Sequence, residues 1–132
     1  MYLFRRKELI MAITGTKQMS KELEKCINDC LDCYKVCVQT ASYCLEKGGK
    51  HVEAGHIKLL KDCIDACLGS TGFMLRNSDW SGQACSFCAD ICMKCATDCD
   101  SFDDEQMKKC ADVCRRCADS CRKMADMAAQ RV

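Results

Sequence analysis

Sixteen cysteines recur along this 132-residue chain in a fixed rhythm. Cys26, Cys30, Cys33 and Cys37 read C-x3-C-x2-C-x3-C, as do Cys88, Cys92, Cys95 and Cys99, and again Cys110, Cys114, Cys117 and Cys121. Cys63 and Cys67 form one more C-x3-C pair, while Cys44 and Cys85 extend two of the rows without closing a pair. Steps of four, three and four residues return to one face of an α-helix. The thiols therefore occupy positions where a helical bundle usually places leucine. A core with so little leucine and so many small thiols would leave space, which argues that something other than packing fills it.

Cysteine at about 12 % of a chain usually signals a disulfide scaffold. Here the spacing is helical rather than loop-like, and no complete secretion signal precedes it. Helical neighbours four apart hold their Cβ atoms roughly 5–6 Å from one another, whereas a disulfide wants about 3.5–4.5 Å. Such a pair is strained as a disulfide but well placed to share a metal ion. Soft thiolates select Cu(I), zinc or iron–sulfur clusters. Cluster ferredoxins carry their ligands as C-x2-C-x2-C-x3-C-P, a pattern that this proline-free chain lacks. Zinc wants four ligands each, so sixteen thiols would fill about four unshared sites. Cu(I) accepts fewer thiolates, so seven C-x3-C pairs suit many low-coordinate ions. A thiol redox role would need one reactive cysteine beside a resolving partner near a helix start. Cys85 and Cys88 are the pair placed for that. No nucleophile–histidine–acid set or phosphate loop is visible, so the reading is not an enzyme.

The elements that must position these thiols are helices. The chain has no proline and seven glycines, and its charges are mixed, with a net +1. That balance offers no nucleic-acid footprint, and no apolar run is long enough to span a membrane. Residues 1–15 form an N-terminal extension. Arg5-Arg6 invites an export reading, but the apolar run from Leu9 to Ile13 is too short for a signal core. A short helix lying over the bundle, or a translation start at Met11, accounts for it better. Residues 16–132 read as one metal-binding domain of four helices. The first runs from Thr16 or Ser20 to the Gly48-Gly49 stop. The second spans about Lys50 to Arg76, weakened locally by Gly69 and Gly72, with room for a break near Gly69. The third is capped by Ser78 or Ser81 and ends near Asp100, and Ser101 caps a fourth that ends near Gln130. Short connections imply an all-α, antiparallel up-down-up-down four-helix bundle with a cysteine-lined core.

These motifs resemble those of the bacterial four-helix-bundle copper storage proteins. The resemblance rests on CINDCLDCYKVC, CADICMKCATDC, CADVCRRCADSC and the pair CIDAC, and covers residues 26 to 121. Without a complete export signal the chain is most similar to the cytosolic branch, which implies a cytoplasmic location. The resemblance implies a homotetramer storing many Cu(I) ions, with thiolates as the main ligands and a copper chaperone as a candidate supplier. The second helix carries fewer thiols than its neighbours, which leaves its share of the capacity open. A zinc- or cadmium-binding detoxification protein of the metallothionein type is the alternative.

Around this stripe, His56 lies seven residues before Cys63 and points inward near Cys44, Cys99, Met107 and Cys110. Two roles suit it, a mouth through which Cu(I) is handed to the core or a capping histidine bonded to backbone. His51 is expected in solvent. Leu23, Met74 and Met124 are expected to plug the other end with apolar bulk. Second apolar rows (Ile27, Leu31, Tyr34, Val38; Ile57, Ile64, Leu68) are read as surfaces for self-association.

Overall fold

The computed structural model describes residues 20–130. Four helices run in chain order: α1 (Ser20–Lys47), α2 (Ala54–Leu75), α3 (Ser81–Asp100) and α4 (Glu105–Ala129). Each packs on its sequence neighbours, and α1 on α4 closes the ring. With connections this short, adjacent helices are antiparallel, which is the up-down-up-down bundle. Residues 1–15 and Thr16 lie outside the described residues, so the expected extension and that candidate cap do too.

The helix stops follow the expected chemistry more closely than the starts. Gly48 and Gly49 take φ of 73° and 58°, a left-handed conformation that glycine adopts without steric cost. The Gly48 amide donates to Cys44 O at 3.0 Å, closing α1. Beyond it, Gly49–Val52 form a 3-10 turn, so α2 begins at Ala54 rather than at Lys50. The helix continues through Gly69 and Gly72 without a break. Burial of Cys63, Cys67, Ser70 and Met74 along one face outweighs the propensity cost of the two glycines.

Two serine caps are corrected. Trp80 holds the cap position of α3, and the Ser81 hydroxyl is spent on the end of α2, donating to Phe73 O at 3.1 Å and Ser78 O at 2.8 Å. Ser78 accepts the Trp80 amide instead. Ser101 ends α3, donating to Asp98 O at 2.7 Å. Asp104 holds the cap position of α4 without a capping bond from its side chain; its Oδ2 accepts from Tyr43 and His51.

The core is made of sulfur and small side chains. All sixteen cysteines are free and fully buried. Ala89 and Ala96 of α3 and Ala111 and Ala118 of α4 are buried beside them, which lets those two backbones approach closely. Thiols meet across the diagonal of the ring, with Cys63–Cys114 at 3.9 Å and Cys67–Cys117 at 3.8 Å. The space anticipated between small side chains is thus largely closed by sulfur in contact with sulfur. Polar ties pin α1 to α4: buried Asp29 accepts from Ser120 and from Lys25, and Gln106 donates to Thr40 at 3.0 Å.

Of the second apolar rows, Ile27, Leu31, Tyr34, Ile57 and Ile64 are half-buried, while Val38, Leu45, Leu68 and Leu75 are exposed. Trp80 and Phe87 on the α3 side are exposed as well. Among the described residues no helix is long and apolar enough to cross a membrane.

Candidate metal centre

The 4-3-4 spacing places thiols on all four inner faces, and the bundle stacks them into one column. Five groups of thiols have sulfurs within 4.8 Å of one another. They are Cys26/Cys85/Cys121, then Cys30/Cys88/Cys117/Cys121, Cys33/Cys67/Cys92/Cys117, Cys33/Cys37/Cys63/Cys114 and Cys37/Cys95/Cys110/Cys114. Cys33, Cys37, Cys114, Cys117 and Cys121 each belong to two groups, so the column is continuous.

Two details depart from the sequence pattern. Cys85, which closes no C-x3-C pair, completes a triad with Cys26 and Cys121. Cys99 is hydrogen-bonded to Cys110 and, as its C-x3-C spacing predicts, to Cys95, but it belongs to none of the five groups, and neither does Cys44. The contribution of α2 is larger than its single pair suggests: Cys63 touches Cys33, Cys37, Cys92 and Cys114. Cys67 touches Cys88, Cys92 and Cys117.

The distances set what fits. Cys33, Cys37 and Cys63 form a triangle with all sides 3.8 Å. The centre of such a triangle lies about 2.2 Å from each sulfur, close to the roughly 2.3 Å of a metal–thiolate bond. An ion midway between only two of these sulfurs would sit about 1.9 Å from each, too near for that bond length. A single C-x3-C pair in this geometry must spread before it holds an ion alone. Adding Cys114 at 3.7–3.9 Å from all three makes a near-regular tetrahedron, whose centre is about 2.3 Å from each sulfur.

Hydrogen bonds between the thiols pull neighbouring cysteines in opposite directions. Cys63 is held well below its ordinary value by Cys114, with Cys33, Cys37 and Cys67 adding to the effect against burial. Cys110 is likewise lowered, first by Cys114. Cys114 is pushed up, first by Cys110 and then by Cys33 and Cys37. Cys92 is raised, first by Cys117. A metal ion entering such a group must displace protons.

At the α1 C-terminal end the column meets an imidazole. His56 is buried, with Nε2 3.3 Å from Cys44 Sγ. Its Nδ1 lies 2.5 Å from Asp98 Oδ2. A carboxylate only accepts, so Nδ1–H donates and the Nε2 lone pair faces the thiol. Met107 Sδ, 3.7 Å from Cys44 Sγ, is a second acceptor for the one thiol proton. The expected gathering of His56, Cys44 and Met107 is present, and the partner of His56 is a carboxylate rather than backbone. Burial, followed by the charges of Cys110, Asp104 and Asp98, pushes the Cys44 thiol up from 9.0 to about 11.

His51 is not the solvated residue anticipated. Its Nε2 lies 2.9 Å from Asp104 Oδ2, and its ring packs 4.5 Å from Phe102. Burial works against the Asp104 carboxylate, but bonds from Tyr43 and His51 hold it below the usual range. Phe102 also stacks on His56 at 4.6 Å and carries the Lys50 ammonium at 4.6 Å. Asp98, Asp104, Tyr43 and Phe102 were missed in the sequence. The available signal was position: Asp98 precedes the last cysteine of α3, opposite the start of α2.

Comparison with known proteins agrees with this geometry. The family model described as copper storage protein matches residues 19–126. An uncharacterised cysteine-rich protein of Bacillus subtilis, YhjQ, is 37 % identical over 93 residues, covering 70 % of this chain and 86 % of the relative. A crystal structure of a Nitrosospira multiformis protein superposes with a TM-score of 0.79 at 44 % identity, covering 83 % of this chain and 99 % of that one. A Cu(I)-bound copper storage protein, BsCsp3, gives a TM-score of 0.75 at 38 % identity, with 79 % and 98 % covered. Apo copper storage protein 3 from Bacillus subtilis gives 0.71 at 38 %, with 77 % and 97 % covered. A column of buried thiols on four helices, matched from residue 19 to residue 126, places this chain in the copper storage protein family.

Proposed function

We propose that this protein stores and sequesters Cu(I), binding many ions per chain through the thiolates of its core, with no catalytic step. The observation that carries the reading is the continuous column, in which fourteen of the sixteen buried cysteines fall into five overlapping groups. Soft thiolate at low coordination number suits Cu(I), and shared sulfurs allow more ions than separate tetrahedra would. Every cysteine is a proposed ligand, with Cys44 and Cys99 extending the column toward the mouth. His56 is the proposed mouth ligand, because Asp98 fixes the tautomer that presents Nε2 to Cys44.

The proposed storage domain is residues 16–132, working in the cytoplasm as a homotetramer supplied by a copper chaperone. Support for the assembly comes from the exposed Val38, Leu45, Leu68 and Leu75 on α1 and α2. A monomeric mass by light scattering would exclude it.

One observation favours a second reading. The near-regular tetrahedron of Cys33, Cys37, Cys63 and Cys114 matches zinc geometry. Anaerobic titration of the reduced protein with Cu(I) and with zinc separates the two. Binding well above about four Cu(I) per chain is expected for storage, whereas saturation at about four ions or fewer favours zinc-type sites.

A further inference from the structure

Leu23, Met74 and Met124 are buried at the end of the column remote from His56, as expected of an apolar plug. A pocket nevertheless indents that end, beside Met124. A cavity of about 230 Å³ lies between the α2–α3 turn and the end of α4. Asn77, Asp79, Met124, Met127 and Cys85 are among the residues that line it. Gly82 forms part of the wall. A Cβ there would lie 2.7 Å from Ala128 Cβ, so that wall is bare backbone held close to α4.

Cys85 is a corner of the terminal triad with Cys26 and Cys121. Cys121 lies 3.7 Å from Cys26 and 3.5 Å from Cys30, which joins the triad to the rest of the column. The cavity therefore abuts the last group of the thiol column, and Met124 and Met127 help to line it. Thioether is a soft, neutral ligand that holds Cu(I) without giving up a proton.

We propose that this cavity is a second portal, where Cu(I) carried by a low-molecular-weight thiol is exchanged with Cys85 under the guidance of Met124 and Met127. The proposal rests on the storage reading. In the exchange the bond from copper to the carrier sulfur breaks as a bond to Cys85 Sγ forms. The Cys85 proton passes to the released carrier thiolate, which leaves as a thiol, and copper remains Cu(I). Size selects the carrier. The cavity is smaller than the roughly 300–1,000 Å³ of a typical ligand pocket, so it admits the thiol arm of a small molecule but not a folded domain. The two ends of the column then differ in chemistry, imidazole and carboxylate at one and thioether at the other.

The test removes the ligand of the His56 end and reads the other. Reduced full-length His56→Ala and His56→Ala/Met124→Leu/Met127→Leu proteins are loaded anaerobically, and the rise of thiolate–copper absorbance is followed by stopped flow. Methionine and leucine are close in volume, so packing is kept. Copper is supplied either as its N-acetylcysteine complex or on a bulky aromatic bidentate chelator that the cavity excludes. Replacing the thioethers is expected to slow loading from N-acetylcysteine by about tenfold, the low end of what losing a supporting group costs in metal capture. Loading from the bulky chelator is expected to stay the same. Equal rates from N-acetylcysteine in both proteins would overturn the portal, as would equal slowing with both carriers, which marks a structural effect. If the triple variant does not fold, His56→Ala/Met127→Leu is read in the same way. Wild-type protein that binds about four Cu(I) or fewer would instead sink the storage reading, so the two failures are distinguishable.

Discussion

Asp98 accepts the Nδ1 proton of His56, and the opposite nitrogen is thereby aimed at Cys44. A copper ion arriving at that nitrogen has a thiol 3.3 Å further in and the Met107 thioether behind it. His56→Ala should slow loading in stopped flow while the final number of ions stays nearly the same. Asp98→Asn should slow it less, since the ring remains but its tautomer is no longer fixed. The same residues set a pH dependence. The unfolded chain gives up a thiol proton near pH 9.0, whereas buried Cys44 keeps its proton to about 11. Stability from that buried thiol is whole below pH 9.0 and is lost as pH rises to about 11. The thermal midpoint of the apo protein should fall across that window, and Cys44→Ala should flatten the fall. Shared sulfurs should matter more than terminal ones. Cys114→Ser touches two groups and should remove more copper capacity, measured at equilibrium, than Cys44→Ser, which touches none of the five. The thiol column was legible in the sequence because a helical period shows which residues share a face. The carboxylates behind the histidines were not, since Asp98 meets His56 only when the end of α3 is brought beside the start of α2.

At the scale of elements, the four helices and their stops could be read from glycine and from the cysteine period. Their starts could not, because a serine hydroxyl near a helix end has competing acceptors, and the tight α2–α3 turn supplies them to Ser81. Asp104 likewise makes no capping bond from its side chain, and its Oδ2 accepts from Tyr43 and His51. Close approach at Gly82 was invisible as well, since glycine there could equally have marked a turn. Gly82→Ala places a methyl 2.7 Å from Ala128 Cβ. The helix-propensity gain of up to about 1 kcal/mol is opposed by an overpacking cost of roughly 1–3 kcal/mol. A net loss of about 1 kcal/mol in denaturant unfolding is expected. Exposed ion pairs such as Arg122–Asp90 on the same helix pair add little to stability.

The whole molecule is a ring of helices around a thread of sulfur, and five of the sulfurs serve two groups each. An ion seated in one group therefore deprotonates and fixes an atom that the next group also needs. The column behaves as a one-dimensional lattice with nearest-neighbour coupling, the situation in which filling spreads from an occupied position. Native mass spectrometry of protein given half its copper should then show two populations, nearly empty and nearly full, rather than one peak at half occupancy. Such a store answers scarcity by emptying some molecules completely while leaving others loaded. The cell would then read its reserve as a count of charged molecules.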